Sequence, residues 1–189
     1  MDLHLIPLAV ASDAERDAVD ALLGPPEEGW ERDRENAGRD FVLGHSGQKA
    51  RSRRHMLLPA LQALQQRAGY LTPGGLNYVC QRLEVPPAEA YGVASFYALL
   101  NLEPTPPRVA HVCDDLACRM KGALDVCKAL EERLGPAGAP AMYGRVTWKT
   151  SPCLGLCERA PAALIQAAGD APADAALAPA DAAAIVNAL

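Results

Sequence analysis

From residue 57 onward the apolar positions follow a helical repeat. Leu57, Leu61, Leu64 and Ala68 fall at i, i+4, i+7 and i+11, one stripe of an amphipathic helix that Gly69 stops. Thr72-Pro73 has the form of an N-cap and a first helical residue, where the missing proline N–H would have no helical partner anyway. Leu76, Val79, Cys80 and Leu83 make a second stripe. Pro86-Pro87 breaks it and opens a third helix through Glu89, Val93 and Phe96. Short connections make these helices a small bundle over residues 50–102, and Tyr91, Phe96 and Tyr97 are expected to pack it. The proline-rich stretch from Asn101 to Pro107 reads as a linker between domains.

After the linker the period changes. Residues 108–113 alternate like a short strand. Ala123, Val126, Cys127, Leu130 and Leu134 give a helical stripe ending at Gly135-Pro136. Residues 145–149 and 163–166 are further strand candidates, and a terminal helix is expected over 179–189. The Ala-, Pro- and Asp-rich stretch 167–181 reads as a surface hairpin or loop. Strand, helix, strand, strand, helix predicts a small α/β sandwich of thioredoxin type over residues 108–189. With the bundle in front of it, the fold class is α+β/α/β.

Residues 1–49 read as an N-terminal extension. Ser12 and Glu15 form a capping-box pattern for a helix from Asp13 to Leu23, which Gly24-Pro25-Pro26 ends. From Glu27 to Gly47 the chain is polar and poorly periodic, so a docking arm is expected there. Lys49, Arg51, Arg53 and Arg54 follow as a basic cluster, either a solvated helix start or a patch for an acidic partner.

Composition narrows the function classes. The 189 residues carry a formal charge of −5, which gives no support to nucleic-acid binding. No run approaches the roughly 18 apolar residues of a membrane span, so no direct membrane insertion is expected. The apolar run Leu5–Ala11 follows no basic region and is no secretory signal. The expected location is the cytoplasm, or the cytoplasmic side of a membrane complex.

Six cysteines in a reducing compartment point to metal or redox chemistry rather than structural disulfides. Four form two pairs, Cys113-x4-Cys118 and Cys153-x3-Cys157, each just after a predicted strand. Two thiolate pairs suit one [2Fe-2S] cluster, in which each iron takes two cysteines besides the bridging sulfides. Gly122 and Gly155 would let the backbone run close to such a cluster and turn N–H groups toward its sulfurs. Spacing alone leaves zinc and thiol–disulfide chemistry open, although neither loop has the tight C-x2-C of a zinc knuckle. Cys80 and Cys127 lie on apolar stripes and read as core residues. His111 reads as a strand residue close to the first ligand, and Asp114, Asp115, Arg119 and Lys121 as solvated loop charge.

Three motifs carry a resemblance. Cys113-Asp-Asp-Leu-Ala-Cys118-Arg-Met-Lys-Gly122-Ala123 is similar to the C-x4-C-x3-G-A motif of the thioredoxin-like [2Fe-2S] ferredoxin component (the 24 kDa chain) of NADH dehydrogenase, or complex I. The same module is shared with soluble NAD-linked formate dehydrogenases and hydrogenases. Cys153-Leu-Gly-Leu-Cys157-Glu-Arg-Ala-Pro161 resembles the family's C-L-G-x-C-x-x-A-P, and Tyr91-Gly-Val-Ala-Ser-Phe-Tyr97 its Y-G-V-A-x-F-Y helix. The resemblance covers residues from about 50 to 189.

It implies one [2Fe-2S] cluster per chain on Cys113, Cys118, Cys153 and Cys157. It also implies a non-catalytic electron-carrier subunit that exchanges single electrons with the FMN of an NADH-binding flavoprotein subunit. FMN, NAD and further iron–sulfur clusters, a [4Fe-4S] among them, are expected on that partner and on a larger iron–sulfur or catalytic subunit. The chain itself has no G-x-G-x-x-G element, P-loop or acid–base pair. The alternatives are a free-standing thioredoxin-like ferredoxin and a thiol or zinc protein of thioredoxin fold.

Overall fold

The computed structural model describes residues 5–26 and 53–189. The chain divides into two compact units, Met1–Arg67 with Leu71–Leu102, and Ala68–Tyr70 with Glu103–Leu189. Lys49, Arg51 and the polar run 27–47 lie outside the described residues.

The described helices of the first unit are α1 (Asp13–Leu23), α2 (Leu57–Ala68), α3 (Pro73–Leu83) and α4 (Pro87–Phe96). The predicted stripes meet in one core, where Leu61, Leu64, Val79, Cys80 and Leu83 are buried together. Thr72 caps α3, its hydroxyl accepting from the Gly75 N–H at 2.9 Å.

Residues 5–26 do not stand apart from this bundle. Glu15 completes the capping box of α1, accepting from the Ser12 N–H at 2.8 Å, and its other oxygen accepts from the Thr72 hydroxyl. Asn77 on α3 accepts from the Ile6 N–H and donates to the Ile6 and Ala9 carbonyls, each at 2.9 Å. The Tyr78 hydroxyl donates to Asp20, and Arg82 pairs with Asp20 and donates to the Gly24 carbonyl at 2.7 Å. The expected boundary at residue 49 therefore does not separate this segment from the helices. An apolar stripe marks only where a helix meets oil, whereas α1 is tied to α3 through buried polar side chains. Arg53 donates to the Leu23 carbonyl at 2.7 Å and Arg54 pairs with Glu89, so these two members of the basic cluster are engaged within the unit.

Tyr91, Phe96 and Tyr97 do not pack the bundle. The buried side of α4 is made by Ala90 and Ala94, and Phe96 is 80% exposed with its ring edge-on to Tyr97.

The second unit is a four-stranded sheet in the order β2-β1-β3-β4, formed by β1 (Arg108–Cys113), β2 (Val146–Ser151), β3 (Ala163–Ala167) and β4 (Ala173–Leu177). β1 and β2 are parallel, while β3 runs antiparallel to β1 and β4 antiparallel to β3. Between the strands lie α5 (Leu116–Arg119) and α6 (Ala123–Leu134), and α7 (Ala182–Ala188) closes the chain. Both α6 and α7 pack on the sheet, sharing a core with Ala110, Val112, Trp148, Ala163 and Ile165. This is the helices-plus-mixed-sheet arrangement of a thioredoxin-like domain. β4 falls in the stretch expected to be a hairpin or loop. Its side chains are almost all exposed, so backbone pairing with β3 holds it and no hydrophobic alternation announces it.

The connection from α6 to β2 carries backbone strain. Met142, Tyr143 and Gly144 have φ of 47°, 60° and 78°, and only the third is glycine. A left-handed conformation costs a residue with a side chain about 1–2 kcal/mol. The Gly144 N–H donates to the Ala141 carbonyl at 3.0 Å, closing a tight turn before Val146.

Gly74 is the close-approach point of the first unit, because a Cβ built there would lie 2.2 Å from the Val10 carbonyl oxygen. Gly74→Ala is expected to destabilise the first unit by about 1–3 kcal/mol, the usual range for forced overpacking. Urea denaturation followed by circular dichroism checks this.

Candidate metal centre

The parallel pairing of β1 with β2 runs in register from Arg108 opposite Val146 to Cys113 opposite Ser151. Both strands thus end at the same edge of the sheet, and both cysteine loops start there. The Asp114 N–H donates to the Ser151 carbonyl at 3.1 Å, and the Cys113 N–H donates to the Ala162 carbonyl at 2.9 Å. A cavity of about 500 Å³ opens between the loops, lined in part by Asp114, Arg119, Ser151 and Pro152. Space at the carboxyl ends of adjacent parallel strands is where α/β folds commonly place ligands.

The four thiols come as two unlike pairs. Cys113 ends β1 and Cys118 lies on α5; both are 1% exposed. Cys153 and Cys157 are exposed, with their sulfurs 3.3 Å apart. Burial pushes the Cys118 thiol up to about 11, and its hydrogen bond with Cys113 and the fields of Cys113 and Cys157 add to this. Cys157 is raised chiefly by its hydrogen bond with Cys153, with further contributions from Cys113 and Asp115. Cys113 and Cys118 share a small buried cluster against which Leu154 and Leu156, the residues on either side of Gly155, are packed. Among the described residues no three or more His, Cys, Asp or Glu side chains form a ready single-ion site. Two thiol pairs supply what a binuclear cluster needs, two sulfurs for each iron.

Backbone donors reach the sulfurs from two places. Gly155, at φ 79°, aims its N–H at Cys153 Sγ over 3.5 Å. The Ala162 backbone hydrogen-bonds Cys118 and pulls its pKa down. Sequence reasoning did not single out Ala162; the signal was the Ala160-Pro161 pair that precedes it. Gly122, at φ 91°, uses its own N–H on the Arg119 carbonyl and caps α6 in a left-handed conformation. Its contribution is the turn, not a hydrogen bond to sulfur.

The neighbouring charges serve local structure. Asp115 caps α5, accepting from the Leu116 N–H at 2.7 Å, and Asp114 pairs with Arg119 at 3.0 Å. His111 is fully buried in β1. Burial lowers its pKa to about 4; Lys149 adds to the fall and Gln166 offsets part of it. Cys80 is buried and pushed up to about 12, and Cys127 is also raised, both mainly by desolvation.

Residues 45–189 match the sequence profile of the thioredoxin-like [2Fe-2S] ferredoxins. The chain belongs to that family. A relative from Escherichia coli K12, the E-chain component of its NADH-quinone oxidoreductase, is 29% identical over 57% of this chain and 66% of its own length. NADH-quinone oxidoreductase subunit 2 of Thermus thermophilus is 33% identical over 58% of this chain and 61% of its length. The chain thus matches less than two thirds of each of these relatives. Among solved structures, a chain of an NAD+-reducing [NiFe]-hydrogenase superposes with a TM-score of 0.53 at 26% identity. That match covers 70% of this chain and 22% of the hydrogenase chain. These relatives are components of oxidoreductases, and the family supports an iron–sulfur cluster. Among the described residues no helix is long and apolar enough to cross a membrane.

In the metal-free chain, iodoacetamide is expected to label Cys153 and Cys157 well ahead of Cys80, Cys113 and Cys118, because the last three are shielded from reagent. Peptide mass mapping over a labelling time course reads the order.

Proposed function

We propose that this chain is the [2Fe-2S] electron-transfer subunit of a multi-subunit NAD(H)-linked oxidoreductase, with Cys113, Cys118, Cys153 and Cys157 as ligands of one cluster. The observation that supports the reading is that two thiol pairs lie on loops leaving one edge of the sheet, in a chain of the [2Fe-2S] ferredoxin family. The bound cluster supplies a reversible one-electron redox centre.

The chain's own residues do the rest. Cys113 and Cys118 offer an inner, dry pair, and the register of β1 against β2 fixes their loop. Cys153 and Cys157 offer an outer pair at the surface. The amides of Gly155 and Ala162 favour sulfur in its charged state, which a thiolate ligand must adopt. Loading the site therefore takes protons off thiols whose burial otherwise keeps them neutral.

The partner in this reading is an NADH-binding flavoprotein subunit holding FMN and a [4Fe-4S] cluster. A larger iron–sulfur or catalytic subunit completes the assembly, in the cytoplasm or at the cytoplasmic face of a membrane complex. A cluster held by Cys113, Cys118, Cys153 and Cys157 would supply one-electron exchange with a flavin that receives electrons in pairs, and the exposed Cys153 and Cys157 would put it at the surface.

The test is to purify the tagged chain with its partners and compare it with Cys153→Ala and Cys157→Ala. In both variants the iron attributable to this chain is expected to fall from about two atoms toward none. NADH should still reduce the partner's flavin in a single turnover. Iron unchanged in both variants would overturn the ligand assignment, and a wild-type chain that purifies without a flavoprotein would overturn the assembly.

A further inference from the structure

The loop from Cys153 to Cys157 sorts its residues by direction. Leu154 and Leu156 pack inward on the small buried cluster of Cys113, Cys118, Ala123 and Ala162, whereas Cys153, Gly155 and Cys157 are exposed. The outward row is thus thiol, glycine, thiol. Gly155 takes the left-handed angle that reverses the loop, and among the described residues nothing lies within 4 Å of a Cβ built on it. The two sulfurs come to 3.3 Å from each other. A disulfide bond is about 2.05 Å long, so closing this pair asks for a sulfur movement of about 1 Å, which side-chain torsions on an exposed loop supply.

Access singles out the same pair. Of the six cysteines, Cys153 and Cys157 are exposed, Cys127 is half-buried, and Cys80, Cys113 and Cys118 are buried. Cys113 and Cys118 are also hydrogen-bonded to each other, but each is 1% exposed. Thiol–disulfide exchange needs a sulfur that the reagent can reach. The inner pair has proximity without access, and the outer pair has both.

We infer that Cys153 and Cys157 are an oxidation site: in the chain not yet loaded with a cluster, a low-molecular-weight disulfide such as oxidised glutathione converts them to an intrachain disulfide. One thiolate of the pair attacks a sulfur of the reagent, breaks its S–S bond and releases one glutathione. The other thiolate attacks the protein sulfur of the mixed disulfide and releases the second. The two thiol protons end on the two glutathiones, and two electrons pass from the pair to the reagent. The bond consumes both outer thiolates, so it blocks cluster loading until a dithiol reduces it. That consequence rests on the reading of these two residues as cluster ligands. Exposed disulfides are the labile ones, and in a reducing compartment such bonds serve redox sensing rather than structure.

The test incubates the reduced, metal-free full-length chain with oxidised glutathione and maps its tryptic peptides by mass. Cys153 and Cys157 share the peptide that follows Lys149 and ends at Arg159. It should become lighter by two hydrogens and carry no glutathione, while Cys113 and Cys118 remain free thiols. Cys153→Ser and Cys157→Ser, each lacking the second nucleophile, should each retain one glutathione. The chain is then offered a [2Fe-2S] cluster on a scaffold protein, without added thiol. The reduced chain should take up about two irons and the oxidised chain about a tenth of that or less. Treatment of the oxidised chain with dithiothreitol, followed by desalting, should restore the full amount. A wild-type peptide that stays reduced or keeps glutathione, or a disulfide that includes Cys113 or Cys118, would overturn the inference. Equal iron uptake by the oxidised and reduced chains would overturn it as well. A reduced chain that takes up no iron would overturn the cluster reading and the block on loading, but not the disulfide itself.

Discussion

The parallel pairing of β1 with β2 is the constraint on which the rest of the structure depends. Because Cys113 sits opposite Ser151, the two strands deliver their loops to one edge of the sheet. A shift of one residue would turn Cys113 to the opposite face and break the hydrogen bonds of Asp114 with Ser151 and of Cys113 with Ala162. The hydrophobic side of the same strands fixes that register. Ala110, Val112 and Trp148 must face α6 and α7, and this alternation leaves Cys113 on the other phase. The thiol edge is thus a consequence of how the core packs, and no extra element has to hold it.

The first unit follows a different logic. Its helices close on an ordinary leucine core, but the segment leading through α1 is joined to α3 by polar side chains. Asn77 satisfies three backbone groups of residues 6–9, while Tyr78 and Arg82 converge on Asp20. Arg16 and Arg82 both lie 5.6 Å from the Tyr78 ring centre, placing cations against its face. Buried polar contacts of this kind add specificity, because any misdocked α1 would leave their donors and acceptors unpaired.

Much of the architecture was legible because burial leaves a period in the sequence. The stripes of α2, α3 and α6 mark the observed helices, and the two cysteine pairs follow β1 and β2; β1 itself is buried on both faces from Val109 to Cys113, so no alternation of burial marks it. What escaped reading carries no such period. β4 is Ala- and Asp-rich with exposed side chains, α5 is a single turn capped by Asp115, and the union of α1 with α3 is polar. The aromatics of α4 mislead for the opposite reason. Tyr91 and Phe96 look like core residues, yet Ala90 and Ala94 supply the buried side. Ala162 was invisible because it acts through a backbone N–H, which no side-chain motif encodes.

The central claim is that four thiols in two pairs hold a binuclear iron–sulfur centre. Iron, inorganic sulfide and electron paramagnetic resonance on the anaerobically purified full-length chain test it most directly. The expected result is about two irons and two sulfides per chain, silent as isolated and giving one unpaired spin after dithionite reduction. A single tightly held zinc ion with no sulfide and no signal would contradict it.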